Sequence, residues 1–179
     1  MIFYIVLGVI IAWAVFAYNR FIRLRFQARE AWADIDVQLK RRYDLIPNLV
    51  ETVKGYMTHE ASVFQKVTEA RTKAMSATGR DKVGAEDMLS GALKSLFAVV
   101  ENYPQLKASE NFSKLQDELS DTENKIQAAR RFYNTNVRDL NTAIETFPTN
   151  LVAKAFHFTP MEFFGNLNES EKEPVSVKF

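Results

Sequence analysis

The chain has no cysteine and only two histidines. Without thiols there is no disulfide, zinc-thiolate site, iron-sulfur cluster or cysteine nucleophile, although this absence leaves the redox compartment open. The histidines do not supply metal chemistry either. His59-Glu60 opens like a zincin helix, but the second histidine would fall at position 63, which is Val63. A di-iron bundle motif needs a glutamate three residues before histidine, where Tyr56 and Lys154 stand instead. Gly79 and Gly84 have phosphate-loop spacing, but the Lys-Ser/Thr that should follow is missing. No metal and no cofactor are expected. Charge of one sign is lacking as well: 23 Lys and Arg face 22 Asp and Glu, leaving +1, so no overall field gathers nucleic acid. With no nucleophile, base or metal set at recognisable spacing, we do not expect an enzyme. Period-two alternation long enough for a strand is absent too.

What the chain does have is an uncharged stretch from Met1 to Tyr18. At 1.5 Å per residue it reaches roughly 27 Å, close to the hydrocarbon thickness of a bilayer. We expect a transmembrane anchor over residues 1–19, with Ile2, Phe3, Ile5, Val6, Leu7, Val9, Ile10, Ile11, Val15 and Phe16 among the lipids. Ala12-Trp13-Ala14 could mimic a signal-peptide cleavage site, but no basic segment precedes the run. Arg20, Arg23, Arg25 and Arg29 all follow it. By the positive-inside rule the protein is a single-pass component of the inner (plasma) membrane, amino terminus out and body cytoplasmic.

Residues 20–165 are expected to form the body and 166–179 a flexible polar tail. Ala28, Ile35, Arg42, Leu49, Tyr56, Val63 and Ala70 recur every seventh residue, the spacing of a helical seam. The phase passes through Pro47 without slipping, which favours one bent helix, ending before the loop at 76–84, over a fresh helix starting near Asp44. A shorter helix is expected from about Ala85 to Asn102, closed by Pro104. Phe112, Leu119, Ile126, Tyr133, Leu140 and Phe147 then mark a second long helix that Pro148 stops. A short helix capped by Thr149 or Asn150 follows, and the aromatic stretch after it needs a place to dock. The fold class is therefore all-α, an antiparallel bundle of three to four helices on a membrane anchor.

Lys40-Arg41-Arg42 spread around the helix, too dispersed to read a nucleic-acid groove. Arg42 falls on the seam, with Glu60 on the same long helix and Thr122 and Asn136 on the other. Such polar residues cost stability but penalise wrong registers, so we expect them to pin alignment. Lys40, Arg41, Arg42 and Glu60 are the interaction candidates.

The blocks AWADIDVQLKRRYDLIPNLVETVKGYMTHE, AVVENYPQLKASENFSKLQDELSDTENKIQAARRFYN and YNTNVRDLNTAIETFPTNLVAKAFHF resemble the LemA family of bacterial membrane proteins. The resemblance runs from Tyr18 to about Phe164 and implies one amino-terminal membrane helix and a helical-bundle body, with no agreed activity. It marks Trp32, Ile35, Asp36, Arg41, Arg42, Asp44, Leu45, Ile46, Pro47, Asn48, Glu101, Asn102, Pro104, Arg130, Arg131, Tyr133 and Asn134 as signature positions without roles. Bases of the first helix are expected to meet acids near Glu101, Glu118 and Glu123, within or between subunits. The expected partners are the lipid bilayer and further copies in a homo-oligomer. The alternative is a regulatory partner of another envelope protein, such as a membrane protease, bound through the aromatic segment.

Overall fold

The computed structural model describes residues 1–57 and 60–165. Six helices lie among the described residues: α1 (Ile2–Lys54), α2 (Ala61–Ser76), α3 (Arg80–Val100), α4 (Pro104–Lys107), α5 (Glu110–Glu145) and α6 (Thr149–Ala155). They contain no strand, so the fold is all-α. The expected polar tail and His59 fall outside the described residues.

α1 continues through Pro47, so the unbroken spacing is a better guide there than the proline. Beyond it the same spacing misleads. α1 stops at Lys54, and both Tyr56 and Met57 turn their N–H groups back to the Val53 carbonyl. Gly55, about 1 kcal/mol worse than alanine in a helix, stands at the break. α2 resumes in a phase that still buries Val67, Ala70 and Ala74, which is why the two helices read as one. The loop expected at 76–84 shrinks to 77–79, where Gly79 takes a φ of 57°. α3 therefore begins a full turn before Ala85, with Asp81 placed favourably in its first turn. Pro104 opens the short α4, where its missing N–H costs nothing.

The chain divides into two compact units, Asp36–Gln127 and Met1–Ile35 with Ala128–Phe179. In the first, α2 and α3 form a helical hairpin, and Ile46, Leu49, Val53, Leu89, Leu96, Leu106, Phe112 and Ile126 fill the interior. In the second, α1 and the end of α5 run antiparallel. Ala17 and Phe21 share an apolar cluster with Leu140 and Ala143, while Trp32, farther along α1, meets Tyr133, earlier on α5. Val152 and Ala153 of α6 complete that cluster. Thr149 does not cap α6 as expected; Pro148 holds that position, and the Thr149 hydroxyl donates to the carbonyls of Ala143 and Thr146.

Candidate functional site

Successive residues on a helix point about 100° apart, so only one member of the basic triplet can face the interior. Lys40 and Arg41 are exposed; Arg42 is 0 % exposed. A guanidinium taken out of water costs several kcal/mol unless its charge is met. Arg42 Nη2 pairs with Glu86 of α3, itself 0 % exposed, and Nη1 pairs with Glu123 of α5 at 2.6 Å and donates to Ser90 Oγ at 3.0 Å. The Tyr43 hydroxyl donates to the other Glu86 oxygen. Burial first, and then the Glu86 carboxylate that accepts its proton, push this phenol well above its ordinary value, so it stays a donor. Lys82 Nζ lies 3.4 Å from Glu86 and donates to Tyr43 Oη at 3.1 Å and the Ala74 carbonyl at 3.0 Å. Two cations thus face two carboxylates, and the network joins α1, α2, α3 and α5. Arg42 Nε is left without a hydrogen bond.

Pro47 belongs to the same construction. It has no N–H to offer the Tyr43 carbonyl one turn back. Arg71 of α2 supplies the missing donor, its Nε 2.8 Å from that oxygen. Arg71→Leu is expected to cost about 1–3 kcal/mol by leaving the carbonyl unsatisfied. In a Pro47→Ala background the loss should shrink, because the restored N–H serves the same oxygen. Equal losses in both backgrounds, measured by urea unfolding, would show that Arg71 does something else.

The remaining interaction candidates separate. Glu60 is not on the helix that carries Arg42: it sits before α2, half-buried, and accepts from the Tyr103 hydroxyl at 3.3 Å. Thr122 is buried but donates to the Glu118 carbonyl of its own helix at 2.7 Å, and Asn136 likewise donates to Phe132 at 2.9 Å. Neither bond reaches another helix, so neither side chain ties α5 to a partner helix by hydrogen bonding. Of the three expected acids, Glu123 takes Arg42 within the chain, and Glu101 pairs with Lys107 at 2.5 Å. The hydrogen bond from Lys125 holds the Asp121 carboxyl below its usual range, and exposed Arg41 adds a smaller pull in the same direction. Glu86 is not among the expected residues, because an acid in the first turn of a helix starting at Ala85 reads as a solvated charge at the positive end of the dipole. The available signal was an acid three residues before Leu89 and seven before Leu93, on the apolar stripe.

A second polar construction holds the aromatic segment after α6. Asn134 and Asn141, seven residues apart on α5, treat it as a strand would. Asn134 accepts from the Phe164 N–H at 2.8 Å and donates to its carbonyl at 3.1 Å; Asn141 does the same for Met161, both at 2.9 Å. The Tyr133 hydroxyl donates to the Glu162 carbonyl at 2.8 Å. Aromatic contacts complete the docking: Phe158 stacks on Phe21 at 4.8 Å, and Phe164 meets Trp32 at 5.4 Å.

The buried charges can fasten helices together, but Glu86 is sealed and its oxygens are occupied, so no substrate reaches it. Among the described residues no group of three His, Asp or Glu side chains is placed to hold a metal ion. An open cleft of about 550 Å³ lies in the other unit, lined by Arg20, Arg138, Thr142, Thr146 and Phe147 among others.

These features define an all-α protein with one helix apolar enough to cross a membrane. The chain belongs to the LemA family, whose model matches residues 31–179. It is 31% identical over 165 residues to Protein LemA of Metamycoplasma hominis, covering 89% of this chain and 72% of that one. It is also similar to magnetosome protein MamQ of Magnetospirillum gryphiswaldense, 24% identical over 174 residues, 82% of this chain and 64% of the relative. Magnetosome protein MamQ 1 of Paramagnetospirillum magneticum is 25% identical over 181 residues, 86% of this chain and 66% of the relative. The chain therefore spans a little under two-thirds of the length of these two magnetosome proteins. None of the names specifies a reaction.

Proposed function

We propose that this is a membrane-anchored helical interaction protein, without catalytic activity, whose body lies on the cytoplasmic face of the inner membrane and self-associates there. The supporting observation is the outer face of α1. Val37, Lys40, Arg41 and Asp44 follow helical spacing and are all exposed, Val37 by 62 %, while Arg42 between them is consumed inside. A face combining an apolar residue with charges of both signs suits a second copy of itself, since a two-fold contact can pair Lys40 or Arg41 with Asp44. The regulator reading has less support, because Phe158 and Phe164 of the aromatic segment are already packed on this chain's own helices.

The test uses the full chain in mild detergent. Its mass should be a multiple of 20.5 kDa, and Lys40→Glu with Arg41→Glu should lower that mass in a salt-sensitive way while circular dichroism stays unchanged. An unaltered mass would remove the basic pair from the interface, and a monomeric wild type would end the self-association reading. Protease added to intact cells should leave the chain beyond Arg20 uncut; cleavage there would reverse the orientation.

A further inference from the structure

We propose that the corner made by the end of α5 and α6 is a membrane-docking element, with Phe147, Leu151 and Phe156 inserted among lipids at the interface beside α1. The inference rests on the reading of α1 as a bilayer span. Val152 and Ala153 are buried in one cluster with Ala17 and Phe21, against which Trp13 and Tyr18 also pack. These α1 residues are the last turns of the apolar run and the first after it. Ile10, Ile11 and Phe16 remain 56 %, 56 % and 67 % exposed, whereas Ala17 is 2 % exposed. The run is thus open on most of its surface and then covered by α6 at its end.

Depth follows from helix geometry. Ala17 precedes Arg20 by three residues, about 4.5 Å of rise, so a helix packed on Ala17 lies at headgroup level when Arg20 marks the water side. Interfacial helices bury their apolar face to a comparable depth, some 5–10 Å into the headgroup and acyl boundary. The outer surface of the corner has the right composition. Phe147 is 74 % exposed, Leu151 57 % and Phe156 57 %. Single exposed apolar side chains need no explanation, but these three gather at the end of the span: Phe156 packs on Tyr18, Leu151 adjoins Val152 and Ala153 in the cluster with Ala17, and Phe147 lines a cleft with Arg20. Exposed Lys154, Arg20 and Arg23 stand in the same stretch to meet phosphates, although Asp139 and Glu145 are exposed there too. Trp13 and Tyr18 are residue types that favour the interface. Tyr18 also packs on Phe156 with ring centres 4.8 Å apart, tying the corner to the end of the span.

The chain has no cysteine, so one introduced thiol carries a spin label at a unique place. Full-length Leu151→Cys, Val9→Cys and Thr135→Cys, all at exposed positions, would be labelled in nanodiscs containing phosphatidylglycerol. Collisions with oxygen, which concentrates in lipid, are compared with those of a water-soluble nickel chelate. The Leu151 label is expected to favour oxygen severalfold over the Thr135 label while lying shallower than Val9. A Leu151 label as open to nickel as Thr135, with Val9 still in lipid, would overturn the docking and leave the anchor standing. Nickel access at Val9 as well would overturn both.

Discussion

Replacing Arg42 by leucine is expected to lower the stability of the body by about 3–5 kcal/mol, because it leaves the Glu86 carboxylate buried without its main counter-charge. For a chain of this size that corresponds to a fall of roughly 6–20 °C in the melting temperature followed by circular dichroism. Lys82 at 3.4 Å and the Tyr43 hydroxyl remain, and they hold the loss toward the lower end. Leucine at both positions 42 and 86 should recover much of it, since a buried ion pair exchanged for apolar packing is often nearly neutral. Glu123→Ala should cost only about 1 kcal/mol, as that side chain is 35 % exposed and water can replace it beside Ser90. An Arg42→Leu protein that melts at or above the wild-type temperature would show that the seam arginine serves register and not charge pairing.

The second large effect concerns the segment held along α5. Asn134→Ala combined with Asn141→Ala removes four hydrogen bonds to its backbone, together worth roughly 2–6 kcal/mol. The loss should be local, because Phe158 stays stacked on Phe21 and the helices keep their own cores. Hydrogen exchange at the Met161 and Phe164 amides is the direct readout, and their protection should fall by about a hundredfold or more. Asn→Asp at either position removes the donor half and should give an intermediate loss. Unchanged protection in the double variant would mean that the ring contacts of Trp32 and Tyr133 hold the segment without help from the amides.

Read from residues alone, the helical class, the passage of α1 through Pro47, the end of α5 before Pro148 and the family all came through, because each rests on a local or repeating signal. Seven-residue spacing reports which face of a helix is apolar, and an uncharged run reports compatibility with a bilayer; neither needs a partner to be known. The same locality explains the errors. The break at Gly55 is hidden because α2 resumes in phase, and Asp81 and Lys82 have the composition of a polar loop although they lie in the first turn of α3. Thr122 and Asn136 spend the hydrogen bonds seen here within α5, which their seam positions do not reveal. What Arg42 does could not be read from its position on the seam. Glu86 lies 44 residues away and Glu123 lies 81 away, and only the packing of α3 and α5 against α1 brings those charges together. The same holds for Arg71 at the carbonyl Pro47 leaves open, and for two asparagines that become a ladder only when an extended segment lies beside them. Periodicity determines which residues must be buried, but the partner of a buried charge or of an orphaned carbonyl is a property of distance in space, which tertiary structure alone decides.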